Sequence, residues 1–113
     1  MNMTEKNRDQ MSFIRAGTDH EQEDAALFMD NVFKESVNDY WTQQARGLLH
    51  SILSRLMRQC KNENRTLLWS ELIAALRNHA SGIAADDQEQ AAILATANTQ
   101  LLKCRALALE ELS

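Results

Sequence analysis

The side chains in this sequence that could act on a substrate are three histidines, two cysteines and a few clusters of carboxylates. Histidine is the usual proton shuttle because its ordinary pKa lies near neutrality, and it works beside a nucleophile or a second acid. His20, His50 and His79 stand apart: ahead of the first expected helix, on the flank of the central one and at the end of the third. Cys60 and Cys104 fall on apolar helix stripes, with no CxxC or Cys/His spacing that would make a metal site. They read as reduced core thiols; a disulfide between them is geometrically allowed, and nothing in the sequence requires it. Glu21, Glu23 and Asp24, and then residues 86–89, mark helix starts, where anions suit the positive dipole end. Glu110 and Glu111 sit at a helix end, where the same charge is unfavourable, which suggests that the native chain continues there. No GxxxxGK[ST], GxGxxG or HExxH is present. The sequence therefore points to no enzyme, no cofactor and no metal.

Charge narrows the binding partners. The net charge is −4 and the isoelectric point about 5.3, against a nonspecific grip on nucleic acid, which needs a clustered basic surface. The nearest approach is Arg55, Arg58, Lys61 and Arg65, a candidate nucleic-acid contact or else a solvated helix end whose cations suit the C-terminal dipole. The first ten residues lack the apolar centre of a signal peptide, and no apolar run approaches the roughly 20 residues that span a bilayer. A soluble segment with no membrane contact is expected.

The elements that must position these residues are helices. Proline is absent, glycine occurs only three times and 44% of the 113 residues are hydrophobic, a composition that leaves the helical hydrogen-bond ladder unbroken. The fold expected is all-α, a bundle of four main helices over 19–113 behind an irregular, flexible lead-in at 1–18. Residues 38–60 are the most strongly periodic: at about 100° per residue, Trp41, Ala45, Leu48, Leu49, Ile52, Leu53, Leu56, Met57 and Cys60 share one half of the surface. Such a stripe must bury against something. Gly47, Ser51 and Ser54 form a small-residue strip opposite it, an ordinary solvent face or a place for close helix docking.

A first helix from Asp19 or Glu21 to about Glu35 should bury Ala25, Phe28, Met29, Val32 and Phe33. Ser36 with Asp39 approximates a capping box for the central helix, and residues 61–65 form a polar connector. Thr66 is the expected cap of a third helix, 67–79, with Leu68 or Trp69, Leu72, Ile73 and Leu76 buried and Gly82 left-handed after its end. Asp87 with Gln90 caps the fourth, which runs to about Leu112 and buries Ile93, Leu94, Ala97, Leu101, Cys104, Ala108, Leu109 and Leu112. Short connectors imply antiparallel successive helices.

The order of these parts resembles the all-α domain of type IV secretion coupling proteins, the hexameric ATPases of bacterial conjugation. A helix ending in Asp30-Asn31-Val32-Phe33 leads to an acidic break. Then Asp39-Tyr40-Trp41-Thr42-Gln43-Gln44-Ala45-Arg46-Gly47-Leu48-Leu49 is similar to the family's acidic–aromatic–Trp, Ala-Arg, apolar run. Residues 66–76 resemble its short threonine, apolar, leucine helix, and a long alanine-rich helix follows an acidic cap. The likeness covers roughly residues 23–110.

The resemblance implies a cytoplasmic insertion in a nucleotide-binding domain that recognises relaxase, accessory or effector proteins. A DNA contact is implied more weakly, given the acidic charge. Walker motifs and membrane helices are missing, so the chain reads as an excised domain or a stand-alone relative. Trp41, Ala45 and Arg46 match the family's motif in structural roles: Trp41 as core anchor, Arg46 paired with an acid of another helix, and Tyr40 the more exposed aromatic. The alternatives are a helical DNA-binding module and a stand-alone helical adaptor.

Overall fold

The computed structural model describes residues 9–11, 13–15, 17–34 and 39–111. They form four helices: α1 (Glu21–Val32), α2 (Tyr40–Glu63), α3 (Trp69–Ser81) and α4 (Gln88–Glu111). The fold is all-α. α2 packs against each of the others and most extensively against α4. Tyr40 of α2 reaches Glu89 of α4, so the N-terminal ends of these two helices meet, and α3 returns the chain from the far end of α2 to the start of α4.

The periodic faces are the buried faces. Ala25, Phe28, Met29, Val32 and Phe33 are buried along α1, and so are Ala45, Leu49, Ile52, Leu53, Leu56, Met57 and Cys60 along α2. Leu72 and Leu76 of α3 meet Ile93, Ala97, Leu101 and Cys104 of α4 in the same core. Each large aliphatic side chain removed from water there contributes about 1.5–3 kcal/mol, against the conformational entropy of ordering it.

Trp41 departs from its stripe. It is 41% exposed, whereas Trp69 is 2% exposed. The reason is position along the axis. Asp39 caps α2 by accepting from Thr42 N at 2.8 Å, which puts Trp41 in the first turn. A helical angle says nothing about how far the neighbouring helices extend, and Trp41 lies beyond their cover. The core anchor expected at Trp41 is therefore Trp69, whose ring meets Phe28 edge-on at 5.6 Å and Phe13 at 5.9 Å.

Two residues of 1–18 belong to the core. Met11 is fully buried and Ile14 nearly so. Met11 N donates to Leu67 O at 2.8 Å, and Gln10 pairs with Leu68 as an isolated antiparallel bridge. Asp9 accepts from both Ser70 N and Ser70 Oγ. The start of α3 is thus capped by Asp9, and by Glu71, which accepts from Leu68 N. Thr66 is exposed, and α3 begins at Trp69, two residues later than expected.

The remaining differences lie at helix ends. α1 stops at Val32, short of Glu35. α2 runs three residues past Cys60 to Glu63, where Asn64 takes the left-handed conformation (φ 51°) and Arg65 N reaches back to Cys60 O at 3.0 Å. Gly82 is not left-handed (φ −90°). Asp87 caps α4 as expected, accepting from Gln90 N at 3.1 Å. Ser36 of the expected capping box and Leu112 lie outside the described residues; Asp39, expected at the box's third helical position, is itself the N-cap. No helix among the described residues is long and apolar enough to cross a membrane.

Candidate functional site

The residues with catalytic chemistry remain apart. His20, His50 and His79 are exposed, and His20 Nδ1 lies 3.7 Å from Glu23 of its own helix. Among the described residues no group of His, Cys, Asp or Glu is placed to hold a metal ion. Cys60 and Cys104 are buried free thiols. Burial pushes the Cys60 thiol up, away from the thiolate that a nucleophile needs. Asn31 Nδ2 donates to Cys104 Sγ at 3.4 Å.

The segment that carries the family resemblance divides between core and surface. Ala45 is fully buried, and Arg46 pairs with Asp30 of α1. Tyr40 and Trp41 are 52% and 41% exposed. Their rings meet edge to face, with centroids 5.2 Å apart and planes at 77°. The Tyr40 hydroxyl donates to Glu89 Oε1, and that bond, which needs the proton, raises the phenol's pKa. The Asp39 carboxyl is held below its ordinary range by the Thr42 N–H. This corner carries a fixed aromatic pair beside Asp39 and Glu89, with Asp86 and Asp87 just upstream at the start of α4.

The basic cluster is differently arranged. Arg55, Arg58 and Lys61 are exposed along α2, but Arg65 is bracketed by Glu63 at 2.7 Å and by Glu71. Glu71 and then Glu63 raise the Arg65 pKa by hydrogen bonding to the charged guanidinium. Arg65 fastens the α2–α3 turn, and its charge is matched where it stands. A polar cleft of about 400 Å³ beside it is lined by Gly17, Thr18, Lys61, Asn64, Arg65 and Thr66. Glu63 and Glu71 both pair with Arg65 there, which leaves little net positive charge for a phosphate.

A second surface feature is apolar. An apolar groove of about 290 Å³ runs between α1 and α4, floored by Phe28, Trp69 and Cys104 and edged by Phe13 and Leu27. At its rim the buried carboxylate of Asp24 accepts from Arg15 N and Nε, both at 2.9 Å, and from Nη2 at 2.8 Å. These bonds hold the Asp24 pKa at about 2. Asp24 reads in sequence as one more acid in a helix's first turn; its burial follows from Arg15, nine residues upstream.

The Gly47, Ser51 and Ser54 strip has no helix against it among the described residues: Gly47 and Ser51 are exposed, and the space at Gly47 is open. Compared with known protein families, curated proteins and solved structures, the chain matches none.

Proposed function

We propose that this chain is a substrate-recognition domain of a conjugative type IV secretion coupling protein. It holds relaxase, accessory or effector proteins at the cytoplasmic face by protein–protein contact, and ATP hydrolysis belongs to another part of the machine. The observation that supports the reading most directly is the fate of Tyr40 and Trp41. The segment resembling the family's motif opens the helix that touches all the others, yet its aromatic pair is spent on the surface. Rigid exposed aromatics are the side chains that protein interfaces favour.

The DNA-binding reading has less behind it. Arg65 is committed to Glu63 and Glu71, which leaves Arg55, Arg58 and Lys61 on an acidic molecule. The test is calorimetric titration of the purified chain with relaxase and accessory proteins of a conjugative system, and in parallel with duplex and single-stranded DNA. The expected result is saturable binding of a transfer-system protein and no ATP turnover. A folded chain that binds none of these proteins overturns the reading. DNA binding that weakens steeply with salt would favour the nucleic-acid alternative instead.

A further inference from the structure

We propose that the corner formed by Tyr40, Trp41 and the start of α4 is a docking point for an arginine-bearing segment of a partner protein. The inference rests on the recognition reading above and names the chemistry that the recognised segment should carry.

The apolar stripe of α2 overshoots the core by one turn, so Trp41 is left 41% exposed while every stripe residue from Leu49 onward is buried. The exposed pair is held in place. Tyr40 is tethered through its hydroxyl to Glu89, and its ring stands edge-on to the indole. Both side chains therefore lose little freedom on binding.

The charge around this pair has one sign. Asp39 precedes Tyr40, Glu89 touches it, and Asp86 and Asp87 lie at the same helix start. The two helix N-termini beneath them supply roughly half a positive charge each. The caps Asp39 and Asp87 offset these, and Asp86 and Glu89 are in surplus. Elsewhere on the surface, Asp30 pairs with Arg46, and Glu63 and Glu71 share Arg65. Among the described residues, none of the four carboxylates at this corner has an ion-pair partner.

An aromatic face beside surplus carboxylates, with no cation of its own, is complementary to a guanidinium. Arginine can stack on the indole and fork onto a carboxylate at once. Lysine offers a point charge without the planar fork.

The test uses the full chain, labelled with ¹⁵N, and a synthetic peptide of alternating arginine and glycine, with lysine and glutamate versions alongside. Its two indole N–H signals come from Trp41 and Trp69. The arginine peptide should move the Trp41 signal and leave that of Trp69 in place, more tightly than the lysine peptide and with an affinity that falls as salt rises. Trp41→Ala should weaken binding roughly three- to tenfold. Glu89→Gln with Asp86→Asn, both surface changes, should do the same with Trp41 intact.

A Trp41 signal unmoved by the arginine peptide overturns the proposal. So does equal binding of the glutamate peptide, wild-type affinity in the Glu89→Gln and Asp86→Asn variant, or a Trp41 shift that tracks self-association of the chain. A transfer-system protein that binds wild type and Trp41→Ala equally well overturns this site and leaves the recognition reading standing.

Discussion

The two tryptophans occupy nearly equivalent local positions and have opposite fates. Trp41 and Trp69 both lie in the first turn of a helix, and each neighbours apolar positions one turn on. Trp69 is almost fully buried and Trp41 is not. The difference lies in what crosses the end of each helix. Over the start of α3 come Asp9, Met11 and Phe13, which cap the backbone, fill the core and cover the ring. At the start of α2, Glu89 of α4 meets the pair, and it engages the phenol oxygen. Helical periodicity decides which way a side chain faces. Whether that face is dry depends on segments the periodicity does not describe.

The widest separation between the two regions should appear on truncating the rings. Trp69→Ala should cost about 3–5 kcal/mol, enough to unfold much of a small domain's population. Trp41→Ala should stay within about 1 kcal/mol, since an exposed side chain creates no cavity. Urea denaturation of both variants measures the contrast, and equal losses would break it. Met11→Ala should come next, at about 2–4 kcal/mol. A Met11 variant as stable as wild type would show that the segment over α3 rests on the core without supporting it.

Smaller still is Gly17→Ala. Gly17 has φ +83°, and an added Cβ would stand 3.3 Å from the Lys61 side chain, so about 1–2 kcal/mol should be lost to the left-handed backbone and the crowding together. The subtlest effect is on pH dependence. The Asp24 pKa is lowered to about 2 in the folded chain, against about 4 when unfolded. The unfolded state therefore binds the proton first on acidification. The stability due to the Arg15 pairing is present above about pH 4 and drains away as the pH falls towards 2. Asp24→Asn should remove that part of the acid slope, seen as a flatter urea midpoint across the window.

Much of the helical frame was legible in the sequence. The apolar faces of α1 and α2, the Asp87 cap and the all-helical class follow from period and composition, which are local properties. What was missed is long-range. Asp9 caps a helix 61 residues away, Met11 pairs its backbone with Leu67, and Asp24 is buried because Arg15 folds back onto it. Arg65 looked like one more surface cation until the turn placed it between Glu63 and Glu71. Of the residues tied to the family likeness, Ala45 faces inward as the stripe requires, while Trp41 shows how the stripe can run past the structure it faces.

Cys60 gives the bundle a built-in clock. Cys60 of α2 is fully covered, Cys104 of α4 lies at the floor of the apolar groove, and neither is consumed in a disulfide. A water-soluble alkylating reagent can therefore reach Cys60 only when the helices part, and its uptake there counts those openings without any added dye or tag. A partner that clasps the closed bundle should slow the count, and one that pries α4 from α2 should quicken it.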